Sequence, residues 1–350
     1  MDTIDLAGHD PVGTSWALPA DPFELQWQLV YMRAAESGEA SFPAPLQQGS
    51  RLWHYTNAAG LQGIVESKRL WATSILCLND PSEGQYGSHL LRQCWSKWQD
   101  AHDAAQEPET ARMIERLLEV APYGRGFQTS AWHDVHVLSL SLNGDALPLW
   151  QYHPAGTAYA IEFTKEELQS LHLSAAADKG TRRSGENYPR LFWQPVLYQL
   201  ETQRVLAEEL LDFLWATAPR ADSWTNLSSS SGLVIPEAVA KEFRINVWID
   251  IYSLYARLFA ATVKHNGYSH EQEVRLIVDD VEASERSYRA SKQQLVAYTS
   301  LKGSGDAPLP IQRIRCGPST PAAAERIVGS LLCGAGLSGA RVDRSAIPYR

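Results

Sequence analysis

Apolar side chains recur along the chain at two spacings, every second residue in short runs and every third or fourth in longer ones, the periods of strands and helices. Arg51 to Tyr55 reads as a short strand, and Thr56 is placed to cap a helix over Asn57 to Ser67 that turns Leu61, Ile64 and Val65 inward. Leu70 to Leu78 reads as a further strand. Asn79-Asp80-Pro81-Ser82-Glu83 then opens a helix through about Trp98, with Asp80 at the N-cap, Pro81 at the first helical position and Glu83 completing a capping box. A helix over Pro108 to Val120 and a strand over Val135 to Ser141 follow, the latter with only partial alternation. Leu149 to His153 reads as a loop feeding a strand at Ala158 to Phe163, and Thr164 caps a helix carrying Glu166 to Leu171.

Further along, Val196 to Leu200 reads as a strand and Arg204 to Thr217 as a helix. Ser228 to Gly232 is a hinge. From Pro236 a long helix repeats Val239, Phe243, Val247, Ile251, Leu254 and Leu258 at steps of three and four, until Asn266-Gly267 stops it. The chain then gives strands at Glu271 to Val278, Ile311 to Cys316 and Ala340 to Asp343, with a helix over Pro321 to Leu332. Residues 1 to 50, with scattered Pro and Gly and one helix at Pro22 to Ala35, form an extension packed on, or tethered to, the rest.

Composition narrows this picture without naming a partner. With 350 residues, 44% of them hydrophobic, the chain has the means to bury a large core. It contains no apolar run long enough to span a bilayer and begins on an acidic segment, so a cytoplasmic protein that does not enter a membrane is expected. Cys77, Cys94, Cys316 and Cys333 lie far apart, which fits neither a zinc cage nor a disulfide framework. A net charge of -9 argues against broad adhesion to nucleic acid, although a local cluster such as Arg182-Arg183 can guide an anionic ligand.

Several motifs have plain structural explanations. Gly334-Ala335-Gly336-Leu337-Ser338-Gly339 matches a dinucleotide fingerprint, but it follows a helix and precedes a strand, the reverse of the required order, so it reads as a helix end and turn. His133 and His136 have the spacing of a partial metal site, yet an extended segment sets them on opposite faces. The capping box accounts for Asp80 and Glu83, whereas Asn79, just outside that helix, is left to point its amide at a ligand. His54, alone on its strand, is as well explained by a structural hydrogen bond. The strand from Glu271 stands apart, because alternation puts Glu271, Glu273 and Arg275 on one ridge. Two accounts fit that ridge: a solvated outer face, or a cleft wall on which the arginine orients one carboxylate and the other meets a developing positive charge.

In order, Arg51 to Thr56, Leu70 to Thr73 with Leu78 to Glu83, Ser139 to Ser141, Leu149 to Tyr152 with Gly156 to Phe163, Glu271 to Arg275, and the ending from Ile314 through Pro348 resemble domain-of-unknown-function family 2971. That family is similar to the ADP-ribosyltransferases. The resemblance covers residues 51 to 350 and implies an α+β domain with a mixed split β-sheet core and helical insertions at about 80–121 and 203–265. It implies an NAD-consuming transferase, with NAD as substrate, no metal, and an intracellular macromolecular acceptor, protein or nucleic acid, in a toxin or defence setting. Glu273 would be catalytic with Glu271 as its partner, and His54 would bind the adenosine ribose. Tyr152 or Trp150 would stack on nicotinamide, with Tyr55, Thr56, Asn79, Ser141 and Arg275 completing the NAD site. A carboxylate beside C1′ suits this chemistry, because cleaving the nicotinamide bond builds oxocarbenium-like charge. The rival expectations are NAD hydrolysis, an inactive nucleotide- or protein-binding module, and a metal-dependent nuclease built on Glu271, Glu273 and Asp80.

Overall fold

The computed structural model describes residues 22–44, 46–78, 83–121, 135–151, 158–169, 171–173, 190–218, 237–279, 281, 285–291, 294–303 and 307–348. Among them, eleven strands join in one open, mixed sheet. The first is β1 (Arg51–Thr56), and Asn57 rather than Thr56 caps the helix that follows, α2 (Ala58–Ser67), by accepting a 2.8 Å hydrogen bond from the Gly60 N–H. Thr56 stays extended at the strand end, its carbonyl accepting from Ala158. The expected long strand from Leu70 is shorter: β2 (Leu70–Ser74) gives way to a 3-10 turn at Ile75–Cys77, where Ser74 Oγ takes up the Leu76 N–H. The box proposed at Asp80 to Glu83 lies outside the described residues except for Glu83, which begins α3 (Glu83–Ala101).

α4 (Pro108–Val120) and β3 (His136–Ser141) follow, and the segment expected as a loop before Tyr152 is a short helix, α5 (Leu147–Gln151). β4 (Tyr159–Thr164) runs into α6 (Lys165–Gln169) through a reciprocal box in which Thr164 and Glu167 cap each other. β5 (His172–Leu173), β6 (Arg190–Pro195) and α7 (Leu200–Thr217) come next. The strand expected at Val196 to Leu200 is displaced N-terminally, to β6, and only Leu197 makes an isolated bridge, to Val263. α8 (Glu237–Thr262) leads to a 3-10 turn at Asn266–Glu271 and then to β7 (Glu273–Asp279). β8 (Ser287–Ser291), β9 (Gln294–Lys302), β10 (Arg313–Cys316), α9 (Ala324–Gly334) and β11 (Arg341–Arg344) complete the order. α1 (Pro22–Glu36) lies on the domain, since Trp27 is fully buried and its Nε1 donates to Gln194 of β6 at 3.0 Å.

The sheet forks at β3. One long edge of β3 pairs along its whole length with β7, which continues to β6. The other edge is shared: β2 pairs at Val137 and His136, while β1 pairs only through Trp53 and Ser141, so the two strands diverge around Ser139. β1 continues to β4, β10 and β11, and β2 to β9, which carries β8 and β5. Among the described strands, only β10 and β11 pair in parallel.

Each face of the sheet buries a different core. On one side Leu52, Leu138, Leu140, Ile161, Val274, Leu276 and Ile314 pack beneath α2 and α9. On the other, Val137, Phe192 and Ile277 meet the helical layer of α1, α3, α4, α7 and α8. The layer is drawn close by small residues: a Cβ at Gly87 of α3 would lie 2.5 Å from Ala260 Cα of α8. Its polar hub is the fully buried Gln203, which donates to the Leu197 and Lys264 carbonyls and accepts from Tyr86. α8 is tied to β7 by Arg257, whose guanidinium grips both oxygens of the buried Asp279 at 3.2 Å.

Candidate functional site

The ridge expected at Glu271, Glu273 and Arg275 does not form as drawn, because Gln272 adopts a left-handed φ of 44° and ends the 3-10 turn before β7 begins. Glu271 therefore belongs to the turn and only Glu273 and Arg275 share the strand face. That face is not solvated, since all seven residues of β7 are buried. The two carboxylates meet nonetheless through a third residue. Lys264, just past the end of α8, lies 2.6 Å from Glu271 Oε2 and 3.4 Å from Glu273 Oε2.

Arg275 is 1% exposed and grips Glu273 with two parallel hydrogen bonds, Nε to Oε1 at 2.8 Å and Nη2 to Oε2 at 3.0 Å, while Nη1 donates to the Ala261 carbonyl of α8. Burial by itself would raise the Glu273 pKa. The charges of Arg275 and Lys264, with hydrogen bonds from Arg275 and Ser139, override burial and hold it at about 2. Tyr198 accepts the Glu273 N–H at 3.0 Å, and burial drives its own pKa strongly upward. The side chain of Glu273 is 6% exposed and that of Glu271 18%, so Glu271 is the outer of the two carboxylates and Glu273 the inner.

The fork sits beside Glu273, which pairs with Ser141 of β3. Ser139, opposite Arg275 on β3, is the one exposed residue of its strand. Ser141 is used structurally: its Oγ donates to the Glu271 carbonyl at 2.6 Å and accepts from the Asn143 N–H. His54 lies where β1 parts from β3, its Nδ1 3.1 Å from the Ser139 carbonyl. A carbonyl only accepts, so Nδ1 carries the proton in that bond. By register His54 belongs to the sheet face of Ile161, whereas Trp53, Ser141 and Glu273 belong to the other, so the imidazole reaches the fork from its seam and not from the Glu273 side.

Tyr55 and Trp150 form a small separate core with Trp53 and Ala160. The Tyr55 hydroxyl donates to the Asn143 carbonyl and accepts from the Ala146 N–H, and burial pushes its pKa up to about 12. Trp150 packs edge-on to Tyr55 at 4.8 Å, donates Nε1 to Asp145, and would meet a Cβ at Gly317 at 2.8 Å. Trp150 is 5% exposed and so offers no open plate for a ligand ring. Asn79 and Tyr152 lie outside the described residues. Thr56, at the far end of β1, is not part of the carboxylate cluster.

The structure thus brings together Glu271, Glu273, Arg275 and Ser141, with His54 at the adjoining seam, and sets Tyr55 and Trp150 in a neighbouring packed core. Three members of the cluster, Lys264, Tyr198 and Ser139, were not among the expected site residues. Lys264 left one trace in the sequence, a cation at the end of a long apolar helix seven residues before Glu271. A second arrangement borders the same face: Arg315 lies 4.8 Å from the Trp53 ring and pairs bidentately with Asp343 at 3.0 Å, with Gly144 stacked on the same indole. The chain matches no family model, no curated protein and no solved structure.

Proposed function

We propose that the chain is an ADP-ribosyltransferase-like enzyme that cleaves NAD at the nicotinamide–ribose bond and passes the ADP-ribosyl group to a macromolecule. The reading rests on the resemblance of the ordered motifs and on one observation above all: the almost fully buried Glu273 is gripped by Arg275 through two hydrogen bonds and faced by Lys264, which favours its carboxylate form, beside the exposed Ser139 at the fork of the sheet. A fixed negative charge beside the ribose in a dry surrounding stabilises the oxocarbenium that develops there more than the uncharged ribose of the ground state, whose positive charge still lies on the nicotinamide ring. The division of labour follows exposure. Glu271, the outer carboxylate, reaches the ribose hydroxyls, and the inner Glu273, unable to protonate near neutral pH, supplies the field. Lys264 sets the distance between the two.

The same geometry supports a second reading, a binding module without turnover, because Arg275 occupies both Glu273 oxygens. A metal-dependent nuclease fits less well, since an ammonium already stands between the two carboxylates where a cation would sit. Chromatographic measurement of nicotinamide released from NAD separates the first two. Release by the wild-type chain and a drop of about 100-fold or more in Glu271→Gln supports the enzyme, that being the usual cost of a group acting on transition-state charge. No release by the wild-type chain, with protein or nucleic acid supplied as acceptor, leaves the binding module.

A further inference from the structure

We propose that the open face of β2, β8 and β9 binds single-stranded nucleic acid, with bases stacking on Trp71 and Tyr298 and a backbone phosphate held by Arg289. That this strand is also the acceptor rests on the function proposed above; the binding itself does not. Trp71 is 40% exposed on β2, an unusual place for the largest apolar side chain. Its ring lies 4.6 Å from that of Tyr298 with 34° between the planes, and the exposed Arg289 guanidinium sits 5.7 Å from the indole centre. Aromatic rings in series with a guanidinium are the elements of a sequence-tolerant stacking platform.

Register shows that these groups share one surface. Thr73 pairs with Tyr298, Trp71 with Ser300, Ser287 with Tyr298 and Arg289 with Val296, so all point to the same side. Thr73 also pairs with Val137, which puts Ser139 and, across β7, Glu273 on that side too. Trp71 stands two residues beyond Thr73, in the direction in which β3 runs toward Ser139. The platform therefore borders the fork, beginning on the strand that pairs with β3 at Thr73 and Ser74.

Charge selects the occupant. In a chain of net charge -9, the exposed charge that register places on this face is the Arg289 guanidinium, and neither Leu70 to Ser74 nor Ser287 to Lys302 carries an acidic residue. A protein-docking patch would expose aliphatic side chains around the indole, but here its register neighbours are Thr73, Ser300 and Tyr298, and Val296, the aliphatic residue opposite Arg289, is buried. The exposed Tyr288 and Leu295 point to the opposite side.

Fluorescence anisotropy of fluorescein-labelled 12-nucleotide oligouridylate and oligothymidylate, with the full chain at low salt and without NAD, tests the proposal. Saturable binding is expected, weakening with salt. Trp71→Ala should raise Kd by roughly 5- to 100-fold while Trp71→Phe retains most of the affinity, as loss of one stacked base predicts. Arg289→Gln should lower the slope of log affinity against log salt by about 0.7. Absence of saturable binding, or wild-type affinity in both Trp71→Ala and Arg289→Gln, overturns the proposal and leaves the face to a protein partner. Because oligonucleotide binding is measured without NAD and nicotinamide release is a separate readout, a chain that binds but does not cleave refutes the enzyme alone, and one that cleaves but does not bind refutes this platform alone.

Discussion

Replacing Glu273 with Gln keeps the shape of the side chain and removes its charge, leaving the Arg275 guanidinium, 1% exposed, without its carboxylate and Lys264 with only Glu271. Removing one member of a buried ion pair costs about 3–5 kcal/mol, mostly because the remaining charge stays desolvated. The pH linkage gives a similar size by a separate route. The folded pKa of Glu273 lies at about 2, below the ordinary 4.5, so the carboxylate contributes stability above about pH 4.5 and loses it as pH falls toward 2. A shift of that size corresponds to on the order of 3 kcal/mol. Urea denaturation of wild type and Glu273→Gln at about pH 7 and pH 3 measures both quantities. The variant should be less stable by about 3–5 kcal/mol at pH 7, and the gap should narrow markedly at pH 3. A gap below about 1 kcal/mol at pH 7, or one that does not change with pH, refutes the account of the cluster.

Three further outcomes follow from packing. Gly144→Ala puts a methyl 2.1 Å from the Trp53 ring, so the loop after β3 must lift from the indole; a loss of about 1–3 kcal/mol with a shift in tryptophan emission is expected. Gly87→Ala, whose methyl would press on the α8 backbone, should cost a similar ~1–3 kcal/mol, whereas Gly63→Ala in α2 meets nothing within 4 Å and should raise Tm through helix propensity. Arg315→Lys loses the planar fork that grips Asp343 and lies over Trp53, and should lower Tm more than Arg51→Lys, where the side chain is mostly exposed.

Where one residue type dictated a local conformation, the sequence was legible. Pro108 at the first position of α4 and the apolar repeat through Leu118 set that helix, and Gly336 at φ +76° ends α9 in the turn that the glycine run implied. The Thr164–Glu167 box did the same for α6. Legibility failed where tertiary contacts chose between near-equal options. Asn57 and Thr56 are both good caps, and the strand register holds Thr56 extended. Val239 and Phe243 continue the apolar repeat of α8 yet are exposed, while the helix is buried further along, around Trp248 and Tyr255. β8 and β9 carry too many Ser, Thr and Ala to show a clean two-residue period. In the candidate site, alternation alone put Glu271 on the strand; the left-handed Gln272 removed it, and Lys264 restored the pairing by a contact no spacing rule encodes. Whether Trp150 was a plate or a core residue depended on Gly317 and Asp145, far away in the chain or hidden in a loop.

The central claim is that NAD lies across the fork with its ribose beside Glu271. Its most direct test is a structure of the Glu271→Gln variant with saturating NAD, in which binding is kept and cleavage slowed. The account predicts the ribose C1′ within about 4 Å of the residue 271 side chain, near contact distance for a group that acts on it, with Ser139 at the wall of the same site. NAD bound elsewhere, or no NAD bound at saturating concentration, would contradict it.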